Sequence, residues 1–195
     1  MAAPVRLQTD LNVDSRMSAM VMTTRSGRPV LVREVLPTDV DRLVQLYQGL
    51  SPRTIRLRFL GPGMADLPLR EAARLTNRVQ RVHRALLALS FDRGHEGAAL
   101  AVAELAPSHY SPGAAEIAAL VTDRLQGEGL GSALLQQLVK EARRSGYSRI
   151  EADVSEENEV VRHLVNKSAL PVRARVSAGS LQYAIYLNAE RSPTS

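Results

Sequence analysis

Cysteine is absent from the 195-residue sequence, and this absence excludes several kinds of site. Without thiols the chain can form no disulfide framework, no thiolate-bound zinc site and no cysteine nucleophile. Four histidines remain as soft metal ligands, and we expect no metal. A chain without cysteine suits a reducing compartment.

Long apolar runs are also missing. No segment reaches the roughly 20 apolar residues that cross a bilayer. The N-terminus lacks the charged start, apolar run and small-residue cleavage site of a signal peptide. We therefore expect a cytoplasmic protein without a membrane partner, with one domain large enough to bury a full core.

Aromatic residues make up only 4% of the chain, which bears on its net charge of +5. Clustered Lys and Arg attract nucleic-acid phosphates, but here the basic residues are scattered and no stacking side chains are interleaved with them. We expect no nucleic-acid partner. A small polyphosphate ligand stays open as another use for some of the charge.

The segment pattern predicts one domain over residues 28–188, after a flexible leader (1–27) and before a disordered tail (189–195). Strand-like runs occupy residues 29–36, 84–91, 97–105, 114–122, 148–154, 170–176 and 180–187. Helical patterns follow Thr38 or Asp39, cover residues 69–79 and 158–169, and run from Leu130 to Gly146, the expected C′ residue. Residues 51–63 form a short element of open type.

Three glycines, Gly127, Gly129 and Gly131, lie at alternate positions between a predicted strand and a predicted helix. The first N–H groups of a helix are unpaired and lie at its positive end, so such a terminus can bind an anion. Glycine lets a phosphate approach those N–H groups and permits positive φ. A merely tight strand-to-helix turn is the other interpretation.

Two phosphate motifs can be compared with these letters. A P-loop needs Lys followed by Ser or Thr after its last glycine, whereas Ser132 and Ala133 follow Gly131, so triphosphate hydrolysis is disfavoured. A dinucleotide fingerprint meets Ser132 where a third small residue belongs, although Glu151 lies at the right distance for a ribose contact. The preceding meander is not the context of that motif.

The run Gln126-Gly127-Glu128-Gly129-Leu130-Gly131 resembles the Q/R-x-x-G-x-G/A signature of the GNAT superfamily of N-acetyltransferases. The order of elements fits that family over residues 29–187. Residues 33–60 and 114–131 further resemble the Pat-type bacterial protein lysine acetyltransferases. The resemblance implies an α/β fold of the α+β type, with a mixed, mostly antiparallel central sheet of about six to seven strands flanked by helices. It also implies acetyl-CoA as cosubstrate, without a metal.

The same resemblance assigns the cofactor-binding residues. Backbone N–H groups from Gln126 to Ser132 would hold the pyrophosphate of acetyl-CoA, and main-chain groups of Leu120 and Val121 would face pantetheine and the thioester. Asn158 matches a cofactor-side asparagine, with an N-cap role as the alternative. The full predicted set is Leu120, Val121, Gln126, Gly127, Glu128, Gly129, Leu130, Gly131, Ser132 and Asn158.

Acyl transfer needs a neutral amine, but a free lysine has a pKa of about 10.4, so a base must help. The resemblance implies that Glu116 is this base, acting through water. An exposed strand glutamate is the alternative, and the side of the strand on which Glu116 lies is left open. Glu104 is the reserve candidate, and His109 and His83 follow well behind.

Four residues depart from the family pattern. Glu128 brings a carboxylate near the expected pyrophosphate, which would oppose binding unless its side chain points away. Val165 replaces a tyrosine that protonates the leaving thiolate in many relatives, and Ala169-Leu170 replaces the usual Gly-Phe.

The predicted function is direct acetyl transfer from acetyl-CoA to an amine, with a protein lysine favoured, by a monomer or homodimer. The alternatives are a small-molecule amine acetyltransferase and a regulatory protein that binds acyl-CoA without turnover. A nucleic-acid-binding module is the weakest of the readings.

Overall fold

The protein's structure, a computed structural model, describes residues 8–11, 19–60, 65–77, 84–109, 111–177 and 179–187. Nine strands in these residues form one sheet in the order β1-β2-β3-β4-β5-β6-β7-β9-β8. The strands are β1 (Gln8–Leu11), β2 (Ala19–Thr23), β3 (Pro29–Glu34), β4 (Arg84–Asp92), β5 (His95–Pro107), β6 (Ala114–Val121), β7 (Arg149–Ser155), β8 (Val172–Ser177) and β9 (Ser180–Tyr186). Only β6 and β7 pair in parallel.

The predicted mixed, mostly antiparallel sheet is confirmed, but its strand count of six to seven is too low. The two further strands, β1 and β2, lie in the segment predicted to be a flexible leader. β2 pairs antiparallel with β3, and its Met22 is buried in the core. Five residues are too few for their periodicity to show, so only the pairing with β3 reveals this strand. Residues 1–7, 12–18 and the predicted tail lie outside the described residues.

Five helices accompany the sheet: α1 (Val40–Gln48), α2 (Pro52–Phe59), α3 (Leu67–Thr76), α4 (Leu130–Arg144) and α5 (Glu159–Asn166). The element of open type is α2, because Ser51 caps its first turn by accepting a hydrogen bond from the Thr54 N–H, and Pro52 fits the first helical position. None of the described helices combines the length and apolarity needed to cross a bilayer.

Helix α4 ends as its sequence predicts. Gly146 has φ +81°, its N–H donates to the Arg143 carbonyl, and the Tyr147 N–H donates to the Ala142 carbonyl. These two bonds form a Schellman motif, in which a left-handed residue closes the helix.

The two faces of the sheet carry separate cores. On one face, Leu130, Leu134 and Leu138 of α4 are fully buried against alternate residues of β6. On the other face, α1 and α3 cover Leu120 and its neighbours. Burial of each such leucine contributes about 2 kcal/mol, so α4 is held firmly against β6 and its N-terminus has a defined position.

Candidate active site

Strands β6 and β7 part in the middle of the sheet. Their parallel register runs from Ala114 opposite Arg149 to Glu116 opposite Glu151. Beyond these positions β6 pairs only with β5, and β7 pairs only with β9. The sheet therefore opens after Glu116, and one edge of β6 faces this opening.

The hydrogen-bond alternation along β6 decides which main-chain groups face the opening. The Thr122 N–H donates to the Leu100 carbonyl and the Ser108 N–H donates to the Ala114 carbonyl, each at 2.9 Å, so even-numbered β6 residues bond to β5. Leu120, paired with Val102, is one of these. The main-chain groups of Leu120 are therefore bonded to β5, and a part for Leu120 in cofactor binding stays a prediction.

The odd-numbered residues of β6 point their main-chain groups the other way. Ile117, Ala119 and Val121 direct their N–H and C=O groups into the opening, because the β5–β6 ladder has no bulge that would reverse the alternation. The main chains of Ala119 and Val121 thus border the opening, and the cofactor-binding role of Val121 stays a prediction. The same alternation settles the side of the strand left open above: Glu116 shares the face of Ala118 and Leu120.

The glycine segment leads from β6 into α4 and forms a mouth of backbone donors. Gly127 and Gly129 have φ of +79° and +88°, values that a residue with a Cβ adopts only at a cost. Among the described residues no acceptor meets five N–H groups there, those of Gly127, Gly129, Leu130, Gly131 and Ser132. They lie at the positive end of a 15-residue helix.

Two of the seven predicted donors are already engaged. The Gln126 N–H donates to the Asp123 carbonyl at 3.2 Å and the Glu128 N–H donates to the Leu125 carbonyl at 3.3 Å. Both bonds close the short turns that bring the chain from β6 to the mouth. The five remaining donors suit a diphosphate, so the residues present fit the phosphates of acetyl-CoA.

Glu128 points away from these donors. Its carboxylate accepts a hydrogen bond from the Ser26 N–H at 2.8 Å. This bond, with further donors of Ser26 and Thr24, holds the pKa of Glu128 below its ordinary value. The carboxylate is therefore ionised and engaged by the turn between β2 and β3, which removes the objection that its charge raises.

The same turn contributes a residue that sequence reasoning missed. The Arg25 guanidinium donates from Nη1 to the Gly127 carbonyl at 2.6 Å, and the Arg25 N–H donates to the Glu128 carbonyl at 3.1 Å. Arg25 lies in the predicted leader, 102 residues from Gly127 along the chain. No local signal in the sequence indicates this contact.

Helix α2 is tied to the chain just before the glycines. Asp123 accepts hydrogen bonds from Ser51 Oγ at 2.7 Å and from Thr54 Oγ1 at 2.6 Å. Burial opposes ionisation of Asp123, but these hydrogen bonds outweigh it and lower its pKa. Gln126 reaches Thr54 with its side-chain amide at 3.0 Å. Polar contacts thus place α2 beside the opening, although no α2 residue is buried.

Glu116 lies where the sheet opens and is half-buried. Its described hydrogen-bond contact is a long one, 3.4 Å from Ser108 Oγ. The same hydroxyl lies 2.7 Å from Glu151, so its single proton serves Glu151. The carboxylate of Glu116 is therefore available to accept a proton.

Glu104 has the opposite environment. It is buried, and its two oxygens accept hydrogen bonds from Arg58 at 2.6 Å and from Arg74 at 2.6 and 2.8 Å. Two guanidinium groups stabilise the ionised carboxylate and occupy its lone pairs. This arrangement favours a structural role for Glu104.

The remaining predicted positions are also located. Asn158 caps α5, since its side chain accepts a hydrogen bond from the Val161 N–H at 3.2 Å. Val165 is buried in a cluster with Val154 and Tyr183, and its own side chain has no proton to donate. His109 is exposed, and His83 lies outside the described residues.

No group of three or more potential metal ligands occurs in the part of the chain that the structure describes.

Comparison with known proteins agrees with this geometry. The model of the acetyltransferase (GNAT) family matches residues 63–169. The chain is 30% identical over 148 residues to the acetyltransferase PA5475 of Pseudomonas aeruginosa, covering 71% of this chain and 73% of that protein.

Solved structures share the fold. The GNAT domain of S. lividans PAT superimposes with a TM-score of 0.71 at 24% identity, over 85% of this chain and 95% of that one. The ribosomal-protein-alanine N-acetyltransferase from Brucella melitensis gives a TM-score of 0.60 at 19% identity, over 79% of this chain and 97% of that one. A family match over more than half of the residues, together with the opened sheet and the glycine mouth, shows that this chain belongs to the GNAT family of acetyltransferases.

Proposed function

We propose that the protein transfers the acetyl group of acetyl-CoA to a lysine side chain of another protein, with Glu116 as general base. The amine nitrogen attacks the thioester carbonyl, the C–S bond breaks, and the leaving thiolate takes a proton from water. No covalent enzyme intermediate is involved. The observation that carries the proposal is the available carboxylate of Glu116 at the point where β6 and β7 part.

The unpaired N–H groups indicate which residues would bind the cofactor in this proposal. The N–H groups of Gly127, Gly129, Leu130, Gly131 and Ser132 would hold the phosphates, and the main chain of Ala119 and Val121 would line the pantetheine arm. Asn158 keeps its proposed place on the cofactor side together with its cap role, since the cap uses the amide oxygen Oδ1 and not the Nδ2 donors. Bound acetyl-CoA supplies an activated acyl group with a thiolate leaving group.

Glu116 would remove a proton from the acceptor ammonium through water. A lysine is almost wholly protonated near neutral pH, so attack requires a base within one water of the amine. Glu116 shares the face of Ala118 and Leu120, and its oxygens are not held by cations as those of Glu104 are. Glu116 therefore suits the base and Glu104 does not.

An open polar surface beside Glu116 supports a large acceptor. On the Glu116 side of the sheet, β7, β9 and β8 carry mostly exposed or half-buried polar side chains: Arg149, Glu151, Asp153, Gln182, Tyr186, Arg173 and Arg175. Helices α1 and α3 pack over the other half of this face. A protein segment fits such a broad surface better than it fits a closed pocket, which favours a protein lysine over a small amine.

The test is an acceptor screen with purified protein. Acetyl-CoA is incubated with lysine-containing peptides, intact proteins and small polyamines, and thiol release is followed together with the mass of each acceptor. We expect an acetyl mass increase on lysine that depends on the enzyme. Binding of acetyl-CoA without thiol release across the panel would favour the regulatory alternative, and acetylation confined to small amines would overturn the lysine assignment.

A further inference from the structure

The turn between β2 and β3, residues 24–28, rests against the glycine mouth. It makes three contacts with Gly127 and Glu128: Arg25 Nη1 to the Gly127 carbonyl at 2.6 Å, the Arg25 N–H to the Glu128 carbonyl at 3.1 Å, and the Ser26 N–H to the Glu128 carboxylate at 2.8 Å. The turn is itself closed by the Gly27 N–H, which donates to the Thr24 carbonyl. Hydrogen bonds therefore join the β2–β3 turn to the glycine segment, although the two are distant in sequence.

These contacts determine where the loop donors point. In a trans peptide the C=O and the following N–H point in opposite directions. The Glu128 carbonyl is held towards Arg25, so the N–H of Gly129 is directed away from the turn and into the mouth, where it has no described acceptor. The β2–β3 turn thus orients a donor that it does not touch.

The contacts also restrain a segment that glycine makes flexible. Glycine loses more conformational freedom on ordering than any other residue, and a loop that must become ordered on binding lowers affinity. Gly127 and Gly129 are both left-handed. Anchoring the carbonyl of Gly127 and both the carbonyl and the carboxylate of Glu128 orders the loop before any ligand arrives.

We propose that the β2–β3 turn is a latch that preorganises the phosphate-binding loop, with Arg25 and Glu128 as its positioning residues. The inference rests on the proposed function, because the ligand of the loop is taken to be the diphosphate of acetyl-CoA. In this proposal the Glu128 carboxylate accepts a hydrogen bond from the β2–β3 turn and does not contact the phosphates. The latch also gives the N-terminal residues a part in cofactor binding.

Arg25 adds a positive charge to this arrangement. Its Nε lies 3.9 Å from the position that a Cβ on Gly129 would take, so the guanidinium borders the mouth. One of its five N–H donors is engaged by the Gly127 carbonyl. The Ser26 N–H stabilises the ionised carboxylate of Glu128, and nearby Arg28 adds a smaller contribution.

The first experiment measures the free protein. Hydrogen exchange of the hydrogen-bonded amides of the turn and the loop, those of Arg25, Gln126 and Glu128, is compared in the wild type, R25A, E128A and the control R144A. Arg144 is exposed and lies at the far end of α4, about 20 Å from the mouth. We expect R25A and E128A to speed exchange about tenfold at these amides with little change elsewhere, and R144A to leave it unchanged. Unchanged exchange in both latch variants would overturn the inference, whatever the ligand is.

The second experiment measures acetyl-CoA binding by titration calorimetry. R25A and E128A are each expected to raise Kd about tenfold, and the double variant to raise it little further, because either change opens the same latch. E128Q, which keeps an acceptor oxygen for Ser26, should recover most of the affinity. In steady-state assays the KM for acetyl-CoA should rise while kcat and the acceptor KM stay near wild type.

The two results separate the proposals. Wild-type protein that fails to bind acetyl-CoA contradicts the proposed function, while the exchange data still report on the latch. Wild-type protein that binds normally, with R25A and E128A within twofold of its Kd, overturns the latch and leaves the proposed function intact.

Discussion

Glu116 and Glu151 lie opposite each other on the parallel strands β6 and β7, as the last paired residues before the strands part. Ser108 Oγ lies 2.7 Å from Glu151 and 3.4 Å from Glu116. Burial opposes ionisation of Glu151, but hydrogen bonds from Ser108, Ser111 and Arg149 outweigh it and lower its pKa. Glu151 thus accepts hydrogen bonds from three donors, whereas Glu116 lies where the sheet opens with one long contact.

This difference predicts the effect of removing the Glu116 carboxylate. E116Q should lower kcat about a hundredfold or more, the usual loss of a general base, while the Kd for acetyl-CoA stays within twofold of wild type. Kinetics at saturating cosubstrate, combined with calorimetry, check both values. E157Q, which neutralises an exposed glutamate, is the matched control and should retain full activity. A normal kcat in E116Q would remove Glu116 from the mechanism.

The three glycines of the loop should respond differently to alanine. G127A and G129A force a Cβ onto left-handed backbone, with φ of +79° and +88°, and should each lower the free energy of unfolding by about 1 kcal/mol. Gly131 has no positive φ, and an added Cβ would only touch Val121 at 3.4 Å. G131A should therefore stay within about 0.5 kcal/mol of wild type. Urea unfolding of the three variants ranks them, and a G131A loss as large as that of G129A would contradict the geometry.

Asp39 should make stability depend on pH. Its side chain is fully buried and accepts hydrogen bonds from Arg33, Arg42 and the Leu36 N–H. Burial opposes its ionisation, but these partners, Arg33 first, hold the pKa of Asp39 below its ordinary value. A carboxyl with a depressed folded pKa stabilises the protein above its unfolded pKa, about 3.9 for Asp, and loses that contribution as the pH falls through the folded value.

The measurement is urea unfolding as a function of pH. D39N should cost about 3 kcal/mol near neutral pH, because it removes the buried anion that Arg33 and Arg42 share and leaves them only Glu96. Its loss relative to wild type should shrink as the pH falls below about 4, where Asp39 of the unfolded chain takes up its proton, and further as the pH falls through the lower folded pKa. D41N, which alters an exposed aspartate two residues away, should show neither effect. A pH-independent difference between D39N and wild type would refute the assignment.

Substitution of Ala169 by glycine should stabilise the protein. Ala169 has φ +53° where the family usually has glycine, and an L-residue in that region costs about 1 kcal/mol or more. A169G relieves this strain but adds freedom to the unfolded chain, so a net gain of about 0.5 kcal/mol is expected in thermal and urea unfolding. G146A is the reverse control: Gly146 has φ +81°, and its substitution should destabilise by about 1 kcal/mol. A destabilised A169G would show that the left-handed backbone there is not strained.

Much of the fold could be predicted from local patterns. The seven predicted strands and the long helix after the glycines are present because periodicity and capping depend on neighbouring residues. The open element at residues 51–63 became a helix through Ser51 and Pro52, both visible in the sequence. β2 was missed because its five residues are stabilised by pairing with β3 and by the burial of Met22.

The candidate site, like the fold, could be predicted from the sequence only in part. The sequence alone determined that a mouth of unpaired N–H groups precedes α4, since glycines before a helix produce it locally. Only the tertiary structure decided that Ala119 rather than Leu120 faces the opening, because the pairing of β6 with β5 sets that alternation.

The partners of the charged side chains could not be predicted from the sequence either. Arg58 and Arg74 bind the carboxylate of Glu104, whereas no described cation binds that of Glu116. Arg25 contacts Gly127, which lies 102 residues further along the chain. The sequence by itself determined which chemical groups the protein has and where helices begin, because those follow from neighbouring residues. The tertiary structure decided which groups meet, because contacts between distant segments depend on how the whole sheet assembles.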